Sequence, residues 1–544
     1  MLTRRRTLAA VALLLALLGG ALLSRGAVVA VQSPAAVTLD GETMSGGAQG
    51  VSPHPSLGLL LPPGSGPGDF RAALDGAPVK IEAAPGRTAR LAVDELAQGS
   101  RHRLEVWRGS IGPARVGTVA LSFQVAEPLE VAVSWLAGAG QTTAQVSASR
   151  ELADLGPVQD ALARAGASVR RDDRGIEGRW PAGRTATFTL PAGLRATTGA
   201  YLPADFAVSL EAGHPPPFSR VDLSKPATGT TTGMRLRTYY LSSTASRTDL
   251  GRHARQIAVL SPSFYSIDGG GHLVKNVDEA ALTIARGAGV EVEPLVTNQD
   301  FDAAATRKLF GVANAEEIVA TALIAEARAH GYTGYQLDFE GLGFGDREDL
   351  THFSQGLSSR LLKANLRYST AVIPRKSPAA SSLEQLFGHS GVYDFDALSR
   401  DATSMSVMAY DQHTAATDAG PVAGLDWVRQ VVQASTSGID HRKLYLGVPL
   451  YYRDWPLRGS PTAGGFPEAI ATAAVHDGTV SWDFGTQSPY LRYSVPNDEH
   501  VVWLENRASL AAKVDVAHQM GFAGIAAWRL GLEDPAFWDL WPAR

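Results

Sequence analysis

The sequence predicts a multidomain protein in which two all-β sandwich modules are followed by a (β/α)8 barrel. Three observations lead to this fold class. The chain has 544 residues, and domains average roughly 150 residues, so several domains are expected. Short runs of alternating apolar and polar residues, separated by turn signals, fill the first part of the chain, as in β-sandwiches. After Met234, short apolar strands alternate with helix-length amphipathic runs, which is typical of α/β folds.

Composition and charge narrow the range of functions. Hydrophobic residues make up 45% of the chain and charged residues 19%, which is ordinary for globular proteins. The formal net charge of −5 gives no sign of the basic stripe that nucleic-acid binding requires. Cysteine is absent, which excludes disulfides, thiolate catalysis and cysteine-ligated metals. The 13 histidines lack a His-Glu-x-x-His spacing, so we expect no metal site and no cofactor.

Residues 1–30 have the pattern of an export signal. Arg4, Arg5 and Arg6 precede an uncharged, mostly apolar run over residues 8–23. The positive end is expected to stay in the cytoplasm while the apolar run enters the bilayer. A cleaved signal peptide and an uncleaved membrane anchor remain open as alternatives, and residues 8–23 would form the tether. Either alternative places the rest of the chain outside the cytoplasm, secreted or anchored at the cell envelope.

The β-rich part divides into predicted modules at residues 31–127 and 128–217, followed by a linker at 218–233. Alternating runs occur at residues 103–107 and 120–125, and again at 185–190. The segments DFRAALDGAPVKIEA and TFTLPAGLRATTGAYL resemble bacterial immunoglobulin-like (Ig-like) modules. We expect spacer modules, with carbohydrate or wall binding as the alternative. Prolines stiffen the linker region, and a Gly/Thr-rich stretch loosens it.

Residues 234–544 contain eight strand candidates. They start at Leu236, Ile257, Val290, Gly334, Arg367, Ser404, Lys443 and Gly524. Helical periodicity appears between several of these strands. The segment therefore contains about eight β-then-α units, the number found in a (β/α)8 TIM barrel. A doubly wound open sheet is the alternative, but the absence of a strong phosphate-binding loop favours the barrel.

The fourth strand candidate carries the most informative pattern. Because alternate strand residues share a face, Gln336, Asp338 and Glu340 point one way, and Tyr335, Leu337 and Phe339 point the other. Polar groups inside a barrel are costly unless they are used. These three also approach the carboxyl end of the strand, where barrel active sites lie. The pattern therefore predicts catalytic chemistry at this position.

At this point the residues resemble a known family. GYTGYQLDFE, residues 331–340, resembles the Asp-x-x-Asp-x-Asp-x-Glu signature of glycoside hydrolase family 18, the chitinase-like barrels. Three further segments match the family in order: SVMAYD at 406–411, LGVPLYYRDW at 446–455 and GIAAWRLG at 524–531. The resemblance covers about residues 234–544. The barrel sequence most resembles the branch of this family that contains spore-cortex and peptidoglycan-acting enzymes.

The resemblance implies a retaining, substrate-assisted hydrolysis of β-1,4-linked N-acetylglucosamine polymers, either peptidoglycan or chitin. Glu340 would protonate the glycosidic oxygen and later activate water. The N-acetyl oxygen of the substrate, rather than a second carboxylate, would be the nucleophile. Asp338 would orient the acetamido group and Tyr410 would hydrogen-bond its oxygen. The implied substrate-binding residues are Gln336, Met408, Asp411, Tyr451, Arg453, Trp528 and Asn298.

Two positions depart from the family pattern. Thr333 and Gln336 stand where the signature has its first and second aspartates. The missing charge at Gln336 removes a group with which Asp338 could share a proton, although an amide can still donate a hydrogen bond to Asp338.

Two competing classes remain. A non-hydrolytic, lectin-like carbohydrate-binding protein on the same fold would commonly lack the acid, whereas Glu340 is present. A purely structural envelope protein would leave Asp338, Glu340 and Tyr410 without a role. We therefore expect a glycosidase, with peptidoglycan favoured over chitin as its substrate.

Overall fold

The computed structural model describes residues 35–44, 46–111, 114–172, 175–210, 216–376 and 389–544. The signal peptide or anchor expected at residues 1–30, with its tether at 8–23, lies outside these residues. Within the described ranges, no helix is both long and apolar enough to span a bilayer. The described residues divide into two compact units, the first made of those up to Glu130 together with 148–157 and 189–206, and the second of the remaining described residues.

The first unit is built on a nine-stranded sheet. Burial alternates along its strands, as in Thr88–Ala92, where Ala89 and Leu91 face the core. Phe70, Leu104 and Phe123 lie in this core. The region is largely sheet, as the alternation predicts, while its Ig-like character stays a prediction. Its strands are Ala36–Leu39, Glu42–Thr43, Ala48–Val51, Leu57–Leu60, Arg71–Leu74, Ala77–Ala83, Thr88–Ala92, Arg101–Trp107 and Val119–Val125, with a small hairpin of Gly109–Ile111 and Ala114–Val116.

The second unit begins with a five-stranded sheet, which we call the β-module. Its strands are Val131–Ala137, Gln141–Ala148, Ser168–Asp172, Gly175–Pro181 and Phe218–Leu223, and its helix is Gly156–Arg164. The last strand occupies six residues assigned above to the linker. It pairs antiparallel with Val131–Ala137 over its whole length. The Pro-rich stretch before it suggests a linker, but the alternating FSRVDL sequence buries Ser219 and Val221.

Eight parallel strands, β1 to β8, then close into a barrel, since β1 pairs with both β2 and β8. This closure confirms the (β/α)8 TIM barrel over an open sheet. The strands are β1 Arg235–Tyr240, β2 Val259–Ile267, β3 Leu295–Asn298, β4 Gly334–Asp338, β5 Arg367–Val372, β6 Ser404–Val407, β7 Leu444–Pro449 and β8 Gly524–Trp528. The α-helices outside them are Thr244–His253, Glu279–Gly287, Ala303–Phe310, Ala315–His330, Arg347–Lys363, Phe395–Asp401, Leu425–Thr436 and Arg507–Gln519.

An insertion between β7 and β8 forms a second five-stranded sheet, the insertion sheet. Its strands are Tyr451–Pro456, Thr462–Gly465, Thr479–Asp483, Ser488–Val495 and Asp498–Trp503, and its helix is Phe466–Val475. One face of this sheet packs on Ala132 and Leu136 of the β-module. Trp482 lies in the same cluster. The β-module and the barrel region, predicted as separate modules, therefore share one hydrophobic core.

Paired charges fill the amino end of the barrel. Arg237 donates to Glu293 at 2.6 Å and to the Ser261 hydroxyl at 2.7 Å. Arg367 donates to the other oxygen of Glu293 at 2.6 Å and also pairs with Glu291. Arg237 and Glu293 are both almost fully buried. This end of a barrel serves stability rather than catalysis.

Candidate active site

Strand β4 delivers its side chains as the alternation predicts. Gln336 and Asp338 point into the barrel, while Tyr335 and Leu337 join the core under the helices. The Tyr335 hydroxyl donates to the Leu323 carbonyl at 2.7 Å, which anchors β4 to the neighbouring helix. The strand ends at Asp338. Glu340 follows at the carboxyl end of the barrel.

Asp338 is buried, and no cationic side chain among the described residues forms an ion pair with it. It is 5% exposed, and its Oδ1 has no hydrogen-bond partner among the described residues. Burial, and then the negative charge of Glu340, raise the pKa of Asp338 well above its usual range. Burial also raises the pKa of Tyr410 and Tyr393, and the charge of Asp338 adds to both effects. The structure therefore gathers the three predicted catalytic residues, Asp338, Glu340 and Tyr410, around one point.

Glu340 is half-buried in the same cluster. Burial raises the pKa of Glu340, and the nearby charge of Asp411 raises it further. A carboxyl with a raised pKa keeps its proton closer to neutral pH and can serve as a general acid.

Asn298, at the end of β3, holds the main chain at Glu340. Its Oδ1 accepts from the Glu340 N–H at 3.0 Å, and its Nδ2 donates to the Glu340 carbonyl at 2.9 Å. The same Nδ2 donates to the Thr306 hydroxyl at 2.9 Å. Asn298 is 1% exposed. These contacts position the main chain at Glu340, and the substrate contact that the resemblance implies for Asn298 stays a prediction.

The Gln336 amide does not donate a hydrogen bond to Asp338, although the sequence allowed for this hydrogen bond. Its Nε2 donates to the Ser406 hydroxyl at 3.0 Å, and its Oε1 has no partner among the described residues. Tyr239 hydrogen-bonds both Gln336 and Ser406. The amide bonds to Ser406 because β6 projects this hydroxyl into the same layer of the barrel. Thr333 lies at the opposite end of β4, where its hydroxyl accepts from Arg367 at 3.2 Å.

Asp411 gathers the polar residues predicted for the barrel mouth. Its Oδ1 accepts from the Tyr451 hydroxyl and from Arg453 Nη2, both at 2.6 Å. The Tyr451 ring meets the Tyr410 ring edge to face at 6.4 Å. The backbone of Asp411 is left-handed, with φ 60°, a conformation that non-glycine residues rarely adopt.

Trp528 is the last residue of β8 and is half-buried, in keeping with a floor beneath a bound sugar. Its ring lies 5.2 Å from that of Tyr239. Met408, just beyond β6, is buried and donates its N–H to the Val372 carbonyl at 2.9 Å. Sequence reasoning missed Tyr239. Its position could have been inferred from the alternation along β1, which places Arg235, Arg237 and Tyr239 on one face of the strand.

No metal centre is evident in the part of the chain that the structure describes. Within it, no three histidine, aspartate or glutamate side chains are grouped so that they could hold an ion.

Comparison with known proteins agrees with this geometry. Residues 297–533 match the family described as Glycosyl hydrolases family 18. The "Uncharacterized glycosylase YvbX" of Bacillus subtilis (strain 168) is 25% identical over 308 residues, covering 55% of this chain and 88% of that protein. The "Cortical fragment-lytic enzyme" of the same organism is 27% identical over 255 residues, covering 45% of this chain and 57% of the relative.

Solved structures resemble the fold. The chitinase from Chromobacterium violaceum ATCC 12472 is 26% identical with a TM-score of 0.52, covering 56% of this chain and 97% of that one. The Bacillus cereus spore cortex-lytic enzyme SleL has a TM-score of 0.54 at 18% identity, covering 74% of this chain and 97% of its own. At that identity the likeness to SleL shows the fold alone.

Proposed function

We propose that this chain, whose residues 297–533 match the glycoside hydrolase family 18, is an exported glycosidase that cleaves β-1,4-linked N-acetylglucosamine polymers. The observation that carries this proposal is the pair Asp338 and Glu340. Both carboxyls have a raised pKa at the mouth of the barrel, and neither has a cationic partner there among the described ion pairs. Buried carboxyls held in this way are kept for chemistry rather than for stability.

Glu340 acts first as the acid and then as the base. Its proton passes to the glycosidic oxygen as the bond to the anomeric carbon breaks. The N-acetyl oxygen of the same sugar attacks that carbon and forms a cyclic cation. Glu340, now ionised, takes a proton from water as the water opens the ring and restores the original configuration.

Asp338 and Tyr410 act on the acetamido group. The unpartnered Oδ1 of Asp338 accepts the amide N–H and stabilises the positive charge that develops on the ring. Tyr410 donates to the acetamido oxygen. Trp528 supplies an apolar floor, while Asp411, Tyr451 and Arg453 hold the adjoining sugar.

Peptidoglycan is the substrate we favour over chitin. Curated relatives include proteins named "Cortical fragment-lytic enzyme", and solved neighbours include chitinases, so both polymers have support. The export pattern of residues 1–30 supports this choice, because an exported enzyme would meet the polymers of a cell wall. Release by signal cleavage and retention through residues 8–23 are equally compatible with this role.

The test compares wild type with Glu340→Gln in the full-length protein. Both are incubated with peptidoglycan glycan strands and with chitin oligosaccharides, and products are identified by mass. We expect wild type to release sugars and the variant to lose at least about 100-fold in kcat, the lower range for loss of an acid–base group. Equal retention of both proteins on one polymer, without release, would instead indicate the non-hydrolytic carbohydrate-binding protein.

A further inference from the structure

Four side chains share one face of the insertion sheet: three of them lie side by side across its strands, starting next to the active site, and the fourth lies farther along the last of these strands. In register, Arg453 lies opposite Trp503, and Trp503 lies opposite Tyr490 on the next strand. Arg492, two residues beyond Tyr490, points to the same face. All four side chains are half-buried, so this face is partly open. We call these residues the Arg453–Arg492 row.

The opposite face of the same strands is fully covered. Tyr452, Leu491 and Val502 alternate with the row and lie in the core shared with the β-module. This alternation fixes which side chains remain accessible, because shifting the register would turn the row into the core. The row is thus held on a sheet that is packed from behind.

The aromatic pair in the row has the geometry of a stacking platform. The rings of Tyr490 and Trp503 lie 5.1 Å apart and are tilted by only 32°. Arg453 joins this pair to the catalytic cluster through its 2.6 Å contact with Asp411. Neighbouring strands are about 4.8 Å apart, so the pair extends roughly 10 Å outward from Arg453. A polymer bound at Glu340 that follows this sheet would pass over it.

The two arginines carry unused hydrogen-bonding capacity. The Nε atoms of Arg453 and Arg492 are buried and have no hydrogen-bond partner among the described residues. Arg453 is paired with Asp411, but no ion pair is found for Arg492 within the described part of the chain. The Arg492 guanidinium lies over the Tyr490 ring at 5.6 Å. The Arg492 side chain as a whole is half-buried and makes no ion pair among the described residues, so the outer end of its guanidinium group is left to face a ligand.

We propose that the Arg453–Arg492 row binds an acidic amino sugar of the polymer, with Tyr490 and Trp503 under the ring and Arg492 on its carboxylate. This inference rests on the proposed function and narrows its substrate to a glycan bearing carboxylates, as the lactyl ethers of peptidoglycan do. A neutral chitin chain offers the aromatic pair its ring faces but offers Arg492 no anion. Guanidinium groups suit this task because their planar donors match a carboxylate.

The experiment measures kcat/KM of the full-length protein on three soluble tetrasaccharides of equal length. These are a peptidoglycan glycan with free lactyl carboxylates, the same glycan with the carboxylates amidated, and chitotetraose. Arg492→Ala is compared with Arg492→Lys and with Arg429→Ala, an exposed arginine on the helix Leu425–Thr436. We expect Arg492→Ala to lose about tenfold on the acidic glycan alone, equivalent to about 1.4 kcal/mol. Arg492→Lys should recover part of this loss, and Arg429→Ala should change nothing.

Equal losses on all three substrates, or no loss on the acidic one, would overturn the proposal. Failure of the proposed function looks different, since wild type would then cleave none of the three. In that case the dissociation constants of Glu340→Gln with and without Arg492→Ala, measured by calorimetry, decide the matter. A preference for the acidic glycan that disappears with Arg492→Ala supports the row, and equal affinities or no binding refute it.

Discussion

At the amino end of the barrel, Glu293 lies between Arg237 and Arg367, whereas at the carboxyl end Asp338 faces Glu340 with one oxygen unpartnered. Both carboxylates are almost fully buried in the same barrel. Burial alone would raise the pKa of Glu293, but its two arginines lower it below the ordinary value. Burial and the charge of Glu340 both raise the pKa of Asp338.

Two carboxyl groups with similar burial thus have different roles, because the charged groups around them differ. A carboxylate with two cationic partners stabilises the fold, and removing it leaves the partners without this counter-ion. A carboxylate facing another carboxylate weakens the fold and remains available for chemistry.

Glu293→Gln should cost about 3–5 kcal/mol of unfolding free energy, because it leaves the buried Arg237 without its carboxylate and removes one of the two carboxylate partners of the half-buried Arg367. Urea unfolding measures the loss. Because the pKa of Glu293 is lowered in the folded state, its ionised form stabilises the fold at pH values above the unfolded pKa of about 4.3. This contribution to the free energy of unfolding is lost as pH falls below that value. Glu317→Gln, which breaks an exposed pair with Arg360, is the control and should cost less than about 1 kcal/mol. Equal losses in the two variants would contradict the structural role of Glu293.

Asn298→Ala should lower kcat about 10- to 100-fold with little change in KM, since Glu340 would lose both main-chain hydrogen bonds that position it. Thr306→Val removes only the more distant contact of the Asn298 amide and should have a smaller effect. Steady-state kinetics on a soluble oligosaccharide separates the two constants. A rise in KM at constant kcat would instead support the substrate-binding role that the resemblance implies.

Asp411→Asn should move the alkaline limb of the kcat/KM profile to lower pH. The charge of Asp411 raises the pKa of Glu340, so removing it lets the acid lose its proton earlier as pH rises. Tyr451→Phe removes one contact to Asp411 but keeps the charge, and its limb should stay near that of wild type. A shift of the Asp411→Asn limb to higher pH would contradict this electrostatic account.

Gln336→Asp should change the pH–rate profile more than the fold. A second carboxylate beside Asp338 raises the pKa of the pair, so the acidic limb should move to higher pH. Gln336→Asn introduces no charge and should leave the limb in place. Intact activity with an unchanged profile in Gln336→Asp would remove this role for position 336.

Much of the barrel was predictable because its signals are local. The starts of β4, β5, β6 and β8 agree with the prediction, and the other four fall within a few residues of it, since alternation and apolar runs mark strands directly. The inward face of Asp338 followed from the same alternation. The immunoglobulin-like character of the first two modules and the fate of the export signal stay predictions.

The rest depends on contacts between distant segments. The role of Asn298 requires β3 and the segment after β4 to meet, which no spacing reveals. The bond from Gln336 to Ser406 crosses 70 residues. Phe218–Leu223 followed a Pro-rich stretch and was assigned to the linker, although it completes the β-module. The Arg453–Arg492 row appears only once the register of the insertion sheet is known.

The most direct test is the free energy of unfolding of Asp338→Asn at neutral pH, measured beside its rate of glycan cleavage. We expect the variant to be more stable than wild type by about 1 kcal/mol, because wild type must either bury the charge of Asp338 without a partner or bind a proton to neutralise it, and we expect the variant to lose activity. Since the folded-state pKa of Asp338 is raised, the stability difference should shrink as pH falls toward the unfolded value of about 3.9. A variant that is less stable than wild type, or that still cleaves at the wild-type rate, would contradict the account that Asp338 serves catalysis at the expense of stability.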